Sequence, residues 1–544
     1  MPHHALLRLG ALSLLLTGAA VASENPDADL AAQRVRAHTT FLADDLLEGR
    51  GTGTRGYALA AHYVASQFAR IGLEPGADDR SYLQTMKFVE ATNKFEAGQL
   101  VIRQKAGEED TLTAVTDMLI SPAIGQPSAR VTARAVFIGF GVHAPDLGHD
   151  DFAGADLQGK IAVVLYGAPK QFESTQRAHH SHSDLKRSLA AKQGAVGFIV
   201  VTTPWDEARY PWAFIVGNSR FPAMRLLAAD GSVVDAFPQL QAGGYVSRAA
   251  AGRLFAASGH TVEEAFARAE AGQPQTFPLN VELTLGGEAS LRTVESANVL
   301  GWLPGADPAL AGEPIVVTGH LDHLGIGTPV NGDSIYNGAA DNALGIGLIL
   351  AAAEELAAGP RLPRPILFAA LTAEEKGLLG AQHLAQNPPA RVKHFAANVN
   401  VDMPLFPAPV SSLIAWGEDH TTLGTLTHTA AARAGFTVTP DPMPEETIFI
   451  RSDQYPFVRT GVPAIYLSTG QRSDDKDVDL PALWMDHLKR RYHKPSDDLS
   501  QPIHWPSTGV FARLVADILG DIARDPQAPA WLPGDFFGER FGRR

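Results

Sequence analysis

Beyond about Asn280 the chain settles into a regular alternation. Apolar runs "IVVTG", "PILFAAL", "FAANVNV" and "PAIYLST" are separated by stretches with helical periodicity. Near-continuous apolar strands have no polar face to offer solvent. They therefore predict an α/β fold with a mixed, largely parallel sheet flanked by helices on both faces. The clearest helix is "NALGIGLILAAAEELAAGP", which Gly359 and Pro360 bring to an end. Upstream, residues 39–72 read as an irregular loop followed by an amphipathic helix, with Ala61, Val64, Phe68 and Ile71 on one face. Between Gln126 and Pro278 the texture differs. Short β-like runs such as "ARAVFIGFG" and "KIAVVLYG" alternate with Gly/Asp-rich turns, and "LKRSLAAKQGAVGFIVVTTP" reads as helix, turn and strand. The expected organisation is a leader over 1–22, the first part of the main domain over 23–125, an α/β insert over 126–278, the rest of the main domain over 279–530 and a Pro/Gly-rich surface tail over 531–544.

Composition narrows the function classes. At 544 residues the chain is long enough for two or three domains with cores of their own. A net charge of -14 without a basic stripe argues against a nucleic-acid or anionic-membrane partner. The opening "MPHHALLRLGALSLLLTGAAVASENPD" joins Arg8 to an apolar stretch from Leu9 to Ala20 and small residues before Ser23. That pattern predicts an export signal cleaved after Ala22, hence a periplasmic or secreted protein; the stretch is too short for a membrane anchor. With no cysteine in the chain, disulfides are excluded, and any metal has to be held by His, Asp and Glu.

Those residue types collect where chemistry is expected. In open α/β sheets functional groups gather beyond the carboxyl ends of the strands. "IVVTG" is followed by His320, Leu321, Asp322 and His323, "PILFAALTA" by Glu374 and Glu375, and "FAANVNV" by Asp402. Asp341 precedes the long helix, and "RRYHKPSDD" adds His493. Each has an ordinary reading alone: Asp341 as a helix N-cap, the paired glutamates as acids beside a helix dipole. Taken together, a pair of divalent cations accounts for the set better than a general acid/base pair does, because one carboxylate can bridge two ions about 3.5–4 Å apart. Adjacent glutamates on an extended strand end would point to opposite sides, one to a metal and the other to the attacking water.

Two other stretches compete for attention. "GTGTRG" has the glycine spacing of a dinucleotide fingerprint, with Glu74 beyond it, but no buried strand precedes it, as that motif requires. "RAHHSHSD", with His179, His180 and His182, is rich in histidine and reads as a solvated loop. The signatures HExxH and GxSxG are absent.

Five motifs in order, "GHLDHLG", "NGAADNALG", "LTAEEKGLLG", "NVNVDM" and "YHKPSDD", resemble the co-catalytic zinc aminopeptidase family that also contains glutamate carboxypeptidase II. The insert is similar to the protease-associated domain of many members. The resemblance implies a zinc-exopeptidase core and two zinc ions per chain. Asp341 would bridge them, with His320 and Asp402 completing one site and Glu375 and His493 the other. It implies Glu374 as general base, Asp322 as the acid orienting His320, and Tyr492 as a polarising phenol. Gln454 stands where a histidine is frequent, and Gln454 and Tyr455 are expected near the substrate. The implied activity is removal of N-terminal residues from peptides. Carboxypeptidase action and a non-catalytic binding role are the alternatives; the apolar Val462, Ala464 and Ile465, where the carboxypeptidase branch carries arginines, count against the first.

Overall fold

One strand serves two sheets. In the computed structural model, which describes residues 26–542, the 27-residue strand Phe277–Leu303 runs through both halves of the molecule. The leader expected over 1–22 lies outside the described residues. Among the described residues no helix is long and apolar enough to cross a membrane.

The second half of the long strand borders the main sheet. It pairs antiparallel with Leu83–Asn93 on one side and Ile366–Leu371 on the other. Ile315–His320, Ala397–Val401 and Ala464–Thr469 follow in parallel, Ser412–Trp416 adds in the antiparallel sense, and the short Thr437–Val438 pairs beyond it. The four parallel strands are buried throughout, as their apolar runs require. Successive side chains feed two cores. Ile315 and Val317 face the layer containing the helices Leu344–Ala358 and Trp505–Arg524; Val316 faces the layer containing Ala381, Leu384 and Phe457. The helix predicted before Gly359 thus spans Leu344–Ala358, and Ala61, Val64 and Phe68 of the helix Arg55–Ile71 are buried.

The first half of the long strand belongs to a second sheet. There it pairs with Gln99–Gln104 and Ser128–Phe137, and the sheet continues through Ile161–Leu165, Gly197–Val201, Ala242–Val246 and Met118–Pro122. Its limits differ from the expected 126 and 278, because Gln99–Pro122 already contributes three of its strands and the long strand leaves it only near Glu288. Continuous β-structure carries no turn signal at such a crossing. The insert also returns one strand, Ala223–Leu226, to the edge of the main sheet beside Leu83–Asn93.

Two expectations about surface segments are corrected. The tail holds a helix, Phe536–Phe541, whose Phe537 is fully buried, and Asp535 at its start pairs with His420. "RAHHSHSD" is not a solvated loop: His179 and His180 lie buried in the helix Ser174–Ser181. The His179 Nδ1 is 2.9 Å from the Tyr455 hydroxyl, and its ring meets Phe536, Phe537 and Phe541 edge-on. These aromatic partners arrive from the far end of the chain, so local polarity could not announce them. The glycines of "GTGTRG" serve packing; Gly53 has φ +70, and a Cβ there would come within 2.0 Å of Val294.

Burial, with neighbouring cations, lowers the His179 pKa to about 2 and that of His180 to about 4. In the unfolded chain these rings take up protons near pH 6.5, and in the folded chain they refuse them. Their burial therefore weakens the fold progressively as the pH falls below about 6.5. We expect His179→Gln to be destabilised relative to wild type at about pH 8, through the altered Tyr455 contact, and that difference to shrink by about pH 5. Urea midpoints at the two pH values measure it, and a constant difference would count against this role.

Candidate metal centre

Three neighbouring strand ends stand level. His320 is in register with Leu371, and Thr318 with Asn400. The strand Ile315–His320 lies between the two that follow it in sequence, so its outgoing connection and the next one diverge to opposite faces, the switch-point geometry that opens a crevice. Asp402 follows its strand directly. The two glutamates do not separate by strand alternation, as expected, because the strand has already ended: Ala373 has φ 57, and Glu375–Gly377 form a turn. Asp341 comes from the irregular turn before the helix Leu344–Ala358. Gly338 makes that turn possible, with φ +58 and room for no Cβ, which would come within 2.1 Å of the Asp341 carbonyl oxygen. His493 follows the helix Leu480–Arg490.

The side chains converge on Asp341. Its Oδ1 is 3.1 Å from His320 Nε2, and its Oδ2 is 3.4 Å from His493 Nε2. His320 Nε2 also lies 3.0 Å from Asp402 Oδ1, and His493 Nε2 lies 3.3 Å from Glu375 Oε2. Each histidine therefore sits with its own second carboxylate, and Asp341 is common to both. His320 Nδ1 is 2.9 Å from the Asp322 carbonyl oxygen and donates its proton there. Its Nε2 is left facing two carboxylate oxygens, a position that a proton or a metal cation can fill.

Asp322 does orient His320, but through its backbone. Its carboxylate turns the other way and accepts hydrogen bonds from the Thr52 hydroxyl at 2.8 Å and the Glu374 backbone N–H at 3.1 Å. The acid expected to hold the imidazole instead fixes the glutamate turn. Gln454 and Tyr455 lie away from the cleft. Gln454 is fully buried, accepts from Asn400 at 3.0 Å and donates to the Phe449 carbonyl at 2.6 Å. Tyr455 is buried against His179. Tyr492 lines the cleft and stacks on His493 with ring centroids 3.9 Å apart.

Three residues without a role in the sequence reading take part. His323 is fully buried, with Nδ1 2.7 Å from Glu375 Oε1, yet neither ring nitrogen has an aligned hydrogen-bond partner among the described residues. Its place three residues after His320, in the same loop, is the only local signal. Asp497, in "YHKPSDD", accepts from the backbone N–H groups of Ala340 and Asp341 at 3.0 and 3.1 Å and so anchors the Asp341 turn. Asp453 is fully buried, and neither carboxylate oxygen has a hydrogen-bond partner among the described residues.

Electrostatics follow from this crowding. Burial alone would lower the His320 pKa, but Asp402, Glu374 and Asp341 hold it well above its ordinary value. Burial, reinforced by Glu375, Asp402 and Asp453 against the pull of His320, pushes the Glu374 carboxyl well above the usual range. The same two influences, burial and the acids Asp402, Asp322 and Glu375, raise Asp453. For Asp341, burial is outweighed by His323, His320 and His493, which keep it well below. Asp341 is thus held ionised between histidines while Glu374, from a separate turn, favours holding a proton. Such divergence of neighbouring carboxyls is a mark of a functional site.

The donors suit a hard-to-borderline divalent ion: imidazole nitrogens and carboxylate oxygens, with no thiolate. Among the described residues, His320, Asp341 and Glu375 form the group whose ligand atoms all lie within 4.8 Å of one another. The centre opens into a cleft of about 2440 Å³ between the two lobes, with Glu374, Tyr492 and Arg451 on one wall and Tyr166, Tyr210 and Tyr245 of the insert on the other. Across the mouth, Glu446 joins the lobes. It pairs with Arg209, accepts from the Tyr210 hydroxyl at 2.6 Å and meets Arg451 at 3.1 Å.

Residues 298–519 match the family model described as Peptidase family M28. Among solved structures, the chain is similar to an aminopeptidase from Aneurinibacillus sp. strain AM-1, at 20% identity and TM-score 0.53, over 95% of this chain and 100% of that one. It is also similar to BSAP, a zinc aminopeptidase from Bacillus subtilis, at 19% identity and TM-score 0.45, over 91% and 95% of the two chains. A third likeness, to a Peptidase M28 precursor from Shewanella amazonensis SB2B, has 17% identity and TM-score 0.45 over 93% and 99%. The first of these shows a shared fold.

Because Asp341 faces both histidines, its removal should cost more metal than removal of any peripheral acid. Asp341→Ala is expected to purify folded but with most of its divalent metal gone. Elemental analysis beside a circular dichroism spectrum reads both properties, and a metal content equal to wild type would show that the ions sit elsewhere.

Proposed function

We propose that the protein, whose residues 298–519 match the model of Peptidase family M28, is a di-zinc aminopeptidase removing N-terminal residues from peptides. The observation that carries this reading is the placement of Asp341 between two histidines, each with a second carboxylate of its own. His320 and Asp402 would hold one zinc ion, Glu375 and His493 the other, and Asp341 would serve both. Bound there, zinc would supply the Lewis acidity that polarises a scissile carbonyl and makes water nucleophilic at neutral pH.

The chain's own groups do the remaining work. Glu374, set in the cleft by the bond from its backbone N–H to Asp322, accepts the proton of the attacking water and passes it to the departing amine. Tyr492, stacked on His493, presents its phenol to the same cleft, where it can donate to the carbonyl oxygen as charge develops. The two lobes enclose the site and reduce its exposure to bulk water.

Glu374→Gln is expected to keep its zinc while turnover falls by about 10²–10⁴-fold. Near-normal turnover in a metal-replete sample would remove Glu374 from this role. A panel of free and N-acetylated peptides, assayed with and without chelator, tests the direction of cleavage. We expect hydrolysis of free amino termini alone, abolished by chelator. Release of C-terminal residues from acetylated peptides would instead favour carboxypeptidase action, and no hydrolysis of any peptide would favour a binding protein.

A further inference from the structure

We propose that Arg50, in the N-terminal segment "LLEGRG", is a positioning residue that holds the His320 and Asp341 loops at the spacing the metal centre needs. The inference rests on the metallopeptidase reading above.

Arg50 is completely buried. Its Nε donates to the Leu321 carbonyl at 2.8 Å, its Nη1 to the carbonyls of Asn337 at 2.6 Å and of Leu42, and its Nη2 to the Gly338 carbonyl at 3.0 Å. Leu321 lies between His320 and Asp322, and Asn337 and Gly338 open the turn that carries Asp341. One planar guanidinium thus joins the two loops whose side chains must meet. Its fork of fixed N–H directions makes the joint a geometric constraint, which a flexible ammonium would not impose.

The chemistry is unusual for a buried arginine. All four bonds go to backbone carbonyls and none to a carboxylate. A buried cation without a contacting anion is costly. The opposite charges that act on Arg50 are those of the site itself, Asp497, Asp322, Asp341 and Glu375. The backbone bends to suit, since Arg50 has φ 50, in the left-handed region that residues other than glycine rarely adopt. A purely structural tie would not need to sit at this point, in this conformation, with this charge.

Asp497 completes the grip. It takes the N–H groups of Ala340 and Asp341 while Arg50 takes the carbonyls of Asn337 and Gly338. The turn is held by an anion on its donors and a cation on its acceptors, so Asp341 is set from both sides.

The test compares wild type, Arg50→Met and Arg50→Lys, each stripped with chelator and checked for folding by circular dichroism and thermal melting. Zinc affinity is then measured by competition with a chromogenic chelator, and kcat and KM at saturating zinc. For Arg50→Met we expect a folded protein whose zinc affinity is about 10–100-fold weaker, with kcat reduced and KM little changed. Arg50→Lys should recover part of both losses, because an ammonium keeps the charge and reaches only some of the carbonyls. Wild-type zinc affinity and kcat in either folded variant would overturn the proposal. Failure of both variants to fold would also overturn it, by assigning Arg50 to stability alone. A wild-type chain that binds no zinc at all would refute the metal reading, an outcome visible before any variant is compared.

Discussion

His320 places its Nε2 3.1 and 3.0 Å from oxygen atoms of Asp341 and Asp402, because its other nitrogen donates to the Asp322 carbonyl. Carboxylates gathered in this way, inside protein, have to be balanced by cations. The acids around it raise the affinity of His320 for a proton, and a divalent ion in the same place satisfies them more fully. Glu375, His323 and His493 repeat the arrangement on the far side of Asp341. The centre is therefore a cluster of buried acids and histidines, and the fold has to hold the acids in place against their mutual repulsion.

The sheet meets that requirement with ordinary means. Parallel strands that are buried on both faces are rigid, and three of them end level at the centre. Behind Asp402 a buried chain of polar groups restrains its carboxylate. Thr318 donates to Asn400, Asn400 to Ser452, and Ser452 to Asp402 at 2.6 Å. Asn342 adds a second tie, donating to the Val401 carbonyl at 3.0 Å and accepting from the Met403 N–H at 3.3 Å, so the Asp341 turn and the Asp402 loop are bound to each other. Because every member has a partner, the network adds rigidity instead of unsatisfied polar groups.

What was legible in the sequence follows from how local each signal is. The central strands and the helix before Gly359 declare themselves by apolar runs, and His320, Glu374, Glu375 and Asp402 by their place just after those runs. The support behind them was not legible. Arg50 and Asp497 are ordinary charged residues in loops, and only folding brings them to the backbone of residues 337–341. The direction of the Asp322 carboxylate depends on Thr52, some 270 positions away, which no spacing rule within "GHLDHLG" contains. His179 and the tail failed for a related reason: each is polar or turn-rich alone, and each is buried by the other together with distant residues such as Tyr455 and Phe449. Sequence pattern reports what a segment needs from its solvent, and these segments find it in distant chain.

The same reasoning bears on how the cleft is kept at its size. An insert tethered by flexible linkers would be free to swing, and a charged latch alone would not prevent it, since exposed ion pairs contribute little. Here Glu446 and its partners are half-exposed, so they add modestly to the closure. The larger restraint is continuous β-structure. The long strand enters both sheets without a break, and Ala223–Leu226 leaves the insert to join the main sheet's edge. Changing the angle between the lobes would mean breaking ladder hydrogen bonds in two places at once, so the wall formed by Tyr166, Tyr210 and Tyr245 stands at a set distance from the metal centre.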